Sequence, residues 1–191
     1  MEQNSFFALV FRQKYIKRWG LMRNVQPENL SEHAAEVAVI AHCLAVVGNR
    51  IFGKHYDEGQ ATLLALFHDV PEVYTGDLPT PIKYYNPDIK TAYKEVERIA
   101  GNRLLDMLPP ELRSSYTHYV LEDDAELEPF VKAADKLSAH IKCLEEQKAG
   151  NTEFDSAAQQ TLDALKAMNS PELEWFLNNC LQAFTLNLDQ L

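Results

Sequence analysis

Two side chains that commonly bind metals stand next to each other at His68 and Asp69. They end an apolar run, residues 64–67, that is typical of a buried helix, and Pro71 and Glu72 follow closely. An imidazole and a carboxylate that are adjacent in sequence can turn to one point only where a helix ends, and buried polar groups need partners or a cation. The pattern predicts a functional site, positioned by the rest of the chain.

Two further polar residues, His33 and Asp135, interrupt apolar stripes at helical spacing. A single histidine on an apolar helix face is usually a hydrogen-bonded core residue. Together with His68 and Asp69, however, the set offers two imidazoles and two carboxylates. Such donors suit manganese, cobalt, iron, zinc or magnesium, and sites of this kind keep coordination positions for water or a phosphate oxygen.

The choice of Asp135 depends on its context. It lies in Val-Lys-Ala-Ala-Asp-Lys-Leu, one helical turn after Val131, where an unpaired buried carboxylate would be costly. Asp123 and Asp124 instead belong to an acidic run that is most simply a solvated loop.

Composition predicts a single all-α domain over residues 1–191, a helical bundle. The chain is 46% hydrophobic with nine prolines and seven glycines, and its apolar residues recur at helical spacing. A formal charge of -10 argues against a nucleic-acid polymer as partner. The three cysteines lack metal-site spacing, and the N-terminal apolar cluster is too short for a membrane span. We expect a cytoplasmic protein that binds a small molecule and no membrane.

Capping and breaking residues divide the chain into helices that would position the site. His33 falls in the first turns of a second helix, the His68-Asp69 pair at the end of a third that starts near Asp57, and Asp135 on a long helix. The segment from Tyr74 to Ile82 holds one glycine and two prolines, which predicts a structured loop. The long helix covers about 127–149, and the other predicted helices cover about 5–17, 86–108, 111–119, 153–168 and 171–184.

The order His, His-Asp, Asp across three helices resembles the HD-domain phosphohydrolase superfamily. Longer motifs look like the bacterial 5′-deoxynucleotidases of that superfamily over nearly the whole chain: Arg18-Trp19, Leu21-Met-Arg-Asn24, Ser31-Glu-His33, His68-Asp69, Glu72, Thr75-Gly-Asp-Leu-Pro-Thr-Pro81 and Ala133-Ala-Asp135. The two-letter His-Asp motif is weak alone, whereas the proline-rich loop together with Arg-Trp is specific. Gly20 departs from the proline expected after the tryptophan.

The resemblance implies hydrolysis of deoxyribonucleoside 5′-monophosphates, selective against ribonucleotides, by a homodimer with one divalent cation such as cobalt, manganese or another first-row ion. It assigns the metal to His33, His68, Asp69 and Asp135. It assigns acid-base catalysis to Glu72 and Asp77. It assigns substrate binding to Arg18, Trp19, His33, Asp69, Asp77, Leu78, Pro79, Thr80 and Asp135.

Phosphomonoester cleavage agrees with these roles, because it needs a Lewis acid, a positioned water and a proton for the leaving 5′-oxygen. Each residue also has a structural alternative. Glu72 could be a first-turn helix carboxylate behind Pro71, and Asp77 could cap a turn. Trp19 could be a core anchor.

Two other functions remain open at the level of sequence. A different HD phosphohydrolase acting on a nucleoside triphosphate or an alarmone would need several basic residues near the site, where only Arg18, Arg23 and Lys83 stand out. An inactive nucleotide-binding protein could keep the fold, but it would have no reason to retain a cluster of buried acids. His118 is the one histidine between the His-Asp pair and Asp135, which favours one metal over two.

Overall fold

The computed structural model describes residues 4–83, 85–121 and 124–191, with the backbone alone at Thr80. Regular structure in these ranges is helical, and the only strand-like pairing is an isolated antiparallel bridge between Lys17 and Asn29. The prediction of an all-α protein is confirmed. The α-helices are α1 (Phe6–Val10), α2 (Leu30–Ile51), α3 (Glu58–Phe67), α4 (Glu72–Thr75), α5 (Thr80–Lys83), α6 (Pro87–Leu105), α7 (Pro110–Val120), α8 (Glu128–Lys148), α9 (Asp155–Ala167) and α10 (Pro171–Asn179).

The main core forms where α2, α3 and α8 pack together. Its fully buried side chains include Leu44 on α2, Leu64 on α3 and Leu137 on α8. Among the described helices, α2 alone is long and apolar enough to cross a membrane, yet 56% of its most apolar window is buried against the rest of the protein. Burial on most of its surface is typical of the central helix of a globular core.

Capping residues set the ends of the helices that carry the site. Asn29 accepts hydrogen bonds from the amides of Ser31 and Glu32, and the Glu32 carboxylate accepts one from the Asn29 amide in return, so α2 begins with a complete capping box. Asp57 accepts from the Gln60 amide at 2.8 Å and starts α3. This helix ends at Phe67, which leaves His68 and Asp69 at its C-terminus.

The predicted first helix is too long. Helix α1 stops at Val10, a 3₁₀-helix covers Phe11–Tyr15, and Ile16 is extended. Tertiary pairing explains the break, because the Leu30 amide donates to the Ile16 carbonyl at 2.9 Å. Helical periodicity within the segment carries no information about that distant partner.

The segment predicted to be a loop from Tyr74 to Ile82 is in part helical. Helix α4 reaches Thr75, and Gly76 then takes a left-handed φ of 72° that glycine adopts without strain. A short stretch without regular structure, residues 77–79, leads into α5, whose first turn closes when the Ile82 amide donates to the Pro79 carbonyl at 2.8 Å. Gly76 ends α4 after a single turn, and α5 also spans one turn, with Pro79 immediately before it and Pro81 within it.

Candidate functional site

Four side chains from three helices converge at the place where α3 ends. Nε2 of His33 lies 3.1 Å from Oδ1 of Asp135 and 3.6 Å from Oδ2 of Asp69. Nε2 of His68 lies 3.1 Å from the same Asp69 oxygen. Ligand atoms of His33, His68 and Asp135 all lie within 4.8 Å of one another.

The neighbours of both imidazoles fix which nitrogen carries the proton. Nδ1 of His68 lies 2.6 Å from the Ala65 carbonyl, which can only accept, so Nδ1 is the protonated nitrogen. Ser138 donates its hydroxyl to Glu36, so its oxygen is left to accept from Nδ1 of His33 at 3.2 Å. In their neutral form, both histidines therefore present the lone pair of Nε2, the nitrogen that faces the acids. Burial and Arg18 lower the pKa of His33, but Asp135 and Glu28 raise it overall, so the acids favour a second proton on its Nε2, which metal binding would displace.

The two acids of the cluster are held in their ionised form. Burial opposes their ionisation, yet the adjacent imidazoles of His68 and His33 hold the pKa of Asp69 below its ordinary value. His33, His68 and Arg18 likewise lower the pKa of Asp135 against the partial burial of its side chain, which is 38% exposed. The centre thus brings together two carboxylates and two ring nitrogens.

Arg18 and Trp19 both contact Glu28 beside the centre, and Arg18 also contacts Asp69. Nη1 of Arg18 lies 3.6 Å from Oδ2 of Asp69, and its Nε lies 3.5 Å from Oε1 of Glu28. The Trp19 indole donates to the other Glu28 oxygen at 2.7 Å, while its ring packs on Phe154 with centroids 5.3 Å apart. Burial opposes the charge of Arg18, but Asp135, Asp69 and Glu28 raise its pKa and keep it a cation.

Glu72 begins α4 directly behind the His68-Asp69 pair and is 4% exposed. Burial, together with the negative charge of Asp69, raises the pKa of Glu72 to about 9. Lys83 opposes that shift from 3.6 Å, and the same amine pairs with Glu97 at 2.8 Å. A divalent cation beside Asp69 would lower the Glu72 pKa again, because positive charge favours the carboxylate.

Asp77 lies half-buried on the segment between α4 and α5. Burial raises its pKa, the charge on Asp69 adds to that shift, and Arg18 opposes it, so this carboxyl shares the electrostatic environment of the centre. The Tyr93 hydroxyl fixes the start of the segment through Thr75 Oγ1 at 3.1 Å and the Gly76 carbonyl at 3.3 Å.

The remaining residues predicted to bind substrate follow Asp77 in the chain. Leu78 and Pro79 are half-buried in the irregular stretch before α5. The side chain of Thr80 lies outside the described part of the structure, although its backbone starts α5. Of the two acids rejected as ligands, Asp124 accepts from the Leu127 amide at 2.9 Å and helps to start α8, and Asp123 is outside the described residues.

The donor set fits a divalent cation. Ligands on opposite sides of a first-row cation are separated by about 4 Å, since each metal–ligand bond is about 2.0–2.2 Å long. The spacing of the His33, His68 and Asp135 atoms agrees with that span, and both imidazoles present a lone pair to it. His118 is elsewhere, with its Nε2 3.4 Å from Asp124.

Comparison with known proteins identifies the family to which these residues belong. The family model described as 5′-deoxynucleotidase YfbR-like matches residues 5–184. The chain belongs to the YfbR-like family. A 5′-deoxynucleotidase of Shewanella oneidensis is 46% identical over 98% of this chain and 97% of its own length, and one of Photorhabdus temperata is 47% identical over 98% and 96%. The predictions of a 5′-deoxynucleotidase of this family and of an enzyme are confirmed.

Solved structures agree on the fold of this family member. An HD-domain phosphohydrolase from Listeria innocua superposes with a TM-score of 0.81 at 20% identity, covering 98% of this chain and 92% of that one. The HD phosphohydrolase of cyanophage S-2L, solved with dA and one catalytic Zn²⁺ ion, superposes with a TM-score of 0.66 at 22% identity. The match covers 92% of this chain and 96% of that one. The predicted HD fold is confirmed.

The sequence did not point to several residues around the centre. Glu28 is 8% exposed and contacts both Arg18 and Trp19, but it stands in the irregular segment before α2, where periodicity gives no signal. Ser138 looked like an ordinary small residue of α8, although it lies one turn after Asp135. Lys83 was noted only as a basic residue, and its pairing with Glu72 depends on the fold of the preceding loop.

Proposed function

We propose that this YfbR-like protein hydrolyses deoxyribonucleoside 5′-monophosphates to the deoxynucleoside and inorganic phosphate, with selectivity against ribonucleotides. The observation that carries the proposal is the convergence of two Nε2 lone pairs and two ionised carboxylates in a chain whose relatives are named 5′-deoxynucleotidases. A phosphomonoester needs such a centre because its cleavage requires stabilisation of negative charge on the phosphoryl oxygens.

His33, His68, Asp69 and Asp135 would hold a single divalent cation, with cobalt, manganese or another first-row ion as candidates. When bound, that cation supplies Lewis-acid stabilisation of the phosphoryl charge and lowers the pKa of an attacking water. Arg18 complements it, because a buried guanidinium beside Asp69 is placed to bind an anionic phosphate oxygen.

Glu72 and Asp77 are proposed as the acid-base pair. Glu72 lies one residue beyond Pro71 and is buried next to the ligand pair, where it can orient or deprotonate the attacking water. Asp77 lies on the loop proposed to bind the nucleotide, and its raised pKa, caused first by burial, suits a group that donates a proton to the leaving 5′-oxygen. The Lys83–Glu97 pair would hold Glu72 in place.

Sugar selectivity is assigned to Arg18 and Trp19, with Leu78, Pro79 and Thr80 lining the other side of the nucleotide. The cation and acids meet only the phosphate and the 5′-oxygen, which ribo- and deoxyribonucleotides share. An indole against C2′ would leave no room for a hydroxyl or a partner for it. Trp19 is suited to this role because its ring is fixed by Phe154 and Glu28.

We further propose that residues 1–191 form one domain, that the protein acts as a homodimer and that it works in the cytoplasm. The first proposal is supported by the packing of α2 against α3, α8 and α10, and the dimer by the family resemblance alone. Sedimentation equilibrium would test the dimer, with a molecular mass twice that of the chain as the expected result.

The function is tested by measuring phosphate release from matched ribo- and deoxyribonucleoside mono- and triphosphates with several divalent metals. We expect release from deoxyribonucleoside monophosphates, dependent on added metal. Preferred cleavage of a triphosphate would favour the alternative HD phosphohydrolase. Absence of release from every substrate and metal would favour an inactive nucleotide-binding protein.

A further inference from the structure

One buried carboxylate outside the proposed ligand set contacts three residues of the site. Glu28 accepts from the Trp19 indole through Oε2 at 2.7 Å. Its Oε1 lies 3.5 Å from both Nε of Arg18 and Nδ1 of His33. The residue is 8% exposed, so its charge depends on these neighbours and not on water.

The contacts keep Glu28 ionised. Burial by itself raises the pKa of Glu28, but His33, Arg18 and Trp19 together hold it below the ordinary value. A buried carboxylate of this kind is stable only while its partners stay in place. The three partners are therefore restrained by one common acceptor group.

The backbone adds to this restraint. The Arg18 amide donates to the Glu28 carbonyl at 3.1 Å, next to the bridge between Lys17 and Asn29. Trp19 has a φ of 58°, a left-handed conformation that costs an ordinary L-residue about 1–2 kcal/mol. The indole hydrogen bond and the packing on Phe154 help to hold Trp19 in that conformation.

We propose that Glu28 is a positioning residue that couples sugar recognition to metal binding, because one carboxylate orients the Trp19 indole, the Arg18 guanidinium and the His33 imidazole. The roles of those three residues rest on the proposed function. Oε1 of Glu28 places a negative charge 3.5 Å from Nδ1 of His33, next to the hydrogen bond between that nitrogen and Ser138. Mutation of a residue that supports a metal-binding histidine in this way commonly lowers metal affinity roughly 10- to 100-fold.

Two substitutions separate the contacts. Glu28→Ala removes all three. Glu28→Gln keeps an oxygen that can accept from Trp19, but its amide nitrogen would face Nε of Arg18 and Nδ1 of His33, which are both donors. Glu172→Gln is the matched control, since Glu172 is also buried, at 4% exposure, and accepts a hydrogen bond from Ser170, the N-cap of α10.

Metal affinity is measured by calorimetry without substrate, and the environment of Trp19 by intrinsic fluorescence in a Trp175→Phe background. Both readouts are independent of turnover, so they remain valid if the proposed reaction is wrong. We expect both Glu28 variants to bind the cation roughly 10- to 100-fold more weakly. We expect only Glu28→Ala to shift the emission of Trp19. Both variants should narrow the deoxyribo- to ribonucleotide ratio of kcat/KM, Glu28→Ala by about fivefold or more, because both lose the contact with Arg18.

The result for Glu28→Gln decides the question if Glu28→Ala does not fold, because glutamine has nearly the same size. Wild-type metal affinity in a folded Glu28→Gln variant would overturn the proposal. The proposal would also be overturned if the Glu28 and Glu172 variants lost the same amount of stability and nothing else, since Glu28 would then have only a structural role.

Discussion

At the level of single residues, the centre depends on histidines whose proton positions are fixed by their neighbours. The Ala65 carbonyl and the Ser138–Glu36 pair direct the Nδ1 protons of His68 and His33 away from the acids. In the neutral imidazoles each Nε2 then presents its lone pair to a cation, whose binding would displace any proton shared with the acids. This arrangement distinguishes the pair from ordinary core histidines such as His140, whose Nδ1 contacts Thr161.

The acid-base assignment predicts that Glu72→Gln and Asp77→Asn lose most of their turnover but keep the metal. Neither carboxylate is a proposed ligand, and removal of a general acid or base usually costs about 10²–10⁴-fold in rate. Stopped-flow or steady-state phosphate release gives kcat, and metal analysis gives occupancy.

Glu97→Gln provides a graded comparison for these variants, because it removes the acid that pairs with Lys83 while leaving Glu72 intact. We expect a smaller loss of kcat than in Glu72→Gln. Near-normal rates in both Glu72→Gln and Asp77→Asn would mean that they are helix and turn residues and that another group moves the proton.

The four proposed ligands could be predicted from sequence, because each is a polar residue in an otherwise apolar context. His33 and Asp135 interrupt helical stripes, and the His68-Asp69 pair ends one. Glu28 could not be predicted in the same way. Its partner Trp19 is nine positions away along the chain, and only the pairing of Lys17 with Asn29 brings the two together.

At the level of elements, helix ends set by local caps were predictable, whereas ends set by tertiary pairing were not. Asn29, Asp57 and Asn86 each accept from an amide in the first turn of the helix that follows. The break after Val10 has no such local signal, because it depends on the hydrogen bond between Ile16 and Leu30. Long-range contacts, and not local sequence signals, therefore determine the conformation of residues 16–30.

That segment carries the proposed selectivity, and we predict that Arg18→Ala or Trp19→Ala narrows the deoxyribo- to ribonucleotide ratio of kcat/KM. A 2′-hydroxyl that clashes or is left without a hydrogen-bond partner costs about 1–3 kcal/mol, and the variants would lose this discrimination against ribonucleotides. Trp175→Ala on α10 is the control for removal of a partly buried indole. An unchanged ratio in folded Arg18 and Trp19 variants would leave Trp19 as a core anchor only.

A buried ion pair attaches the same segment to α8. Glu146 is 1% exposed and accepts from the amides of Val25 and Gln26 at 2.8 and 3.0 Å, and Lys142 and Asn151 donate to it as well. Burial opposes its ionisation, but Lys142 and these amides lower the pKa of Glu146 to about 2 from a reference of 4.5. The ionised form is therefore favoured by folding.

A lowered folded-state pKa means that this stabilisation is complete above the unfolded-state pKa of 4.5 and is lost as the pH falls towards 2. The shift corresponds to about 3 kcal/mol in the free energy of unfolding. We expect Glu146→Gln to be less stable than wild type at pH 7 and to lose less stability between pH 5 and pH 2, as measured by urea unfolding. Equal pH slopes for the two proteins would contradict this role.

At the level of the whole molecule, the centre joins α2, α3 and α8, the helices that also form the main core. A cation bound by residues from all three would stabilise the folded chain, because it binds the native arrangement and not the unfolded one. We predict a higher Tm with metal than with chelator, equivalent to about 2.7 kcal/mol at a metal concentration of 100 times Kd. Scanning calorimetry with and without metal measures this difference.

Asp135→Ala should remove the metal-dependent part of Tm while leaving the fold intact, since Asp135 is a partly exposed residue with a 38% exposed side chain. A metal-induced rise as large as that of wild type would indicate that the cation binds elsewhere.

The central claim is that one cation, held by His33, His68, Asp69 and Asp135, is required for hydrolysis of a deoxyribonucleoside 5′-monophosphate. The most direct measurement titrates manganese or cobalt into metal-free protein while bound metal and phosphate release are followed together. We predict that bound metal and phosphate release both saturate at one cation per chain. His68→Ala and Asp135→Ala should neither bind the metal nor release phosphate, and His118→Ala should behave as wild type. Full turnover without metal, or stoichiometric metal and normal turnover in Asp135→Ala, would contradict the claim.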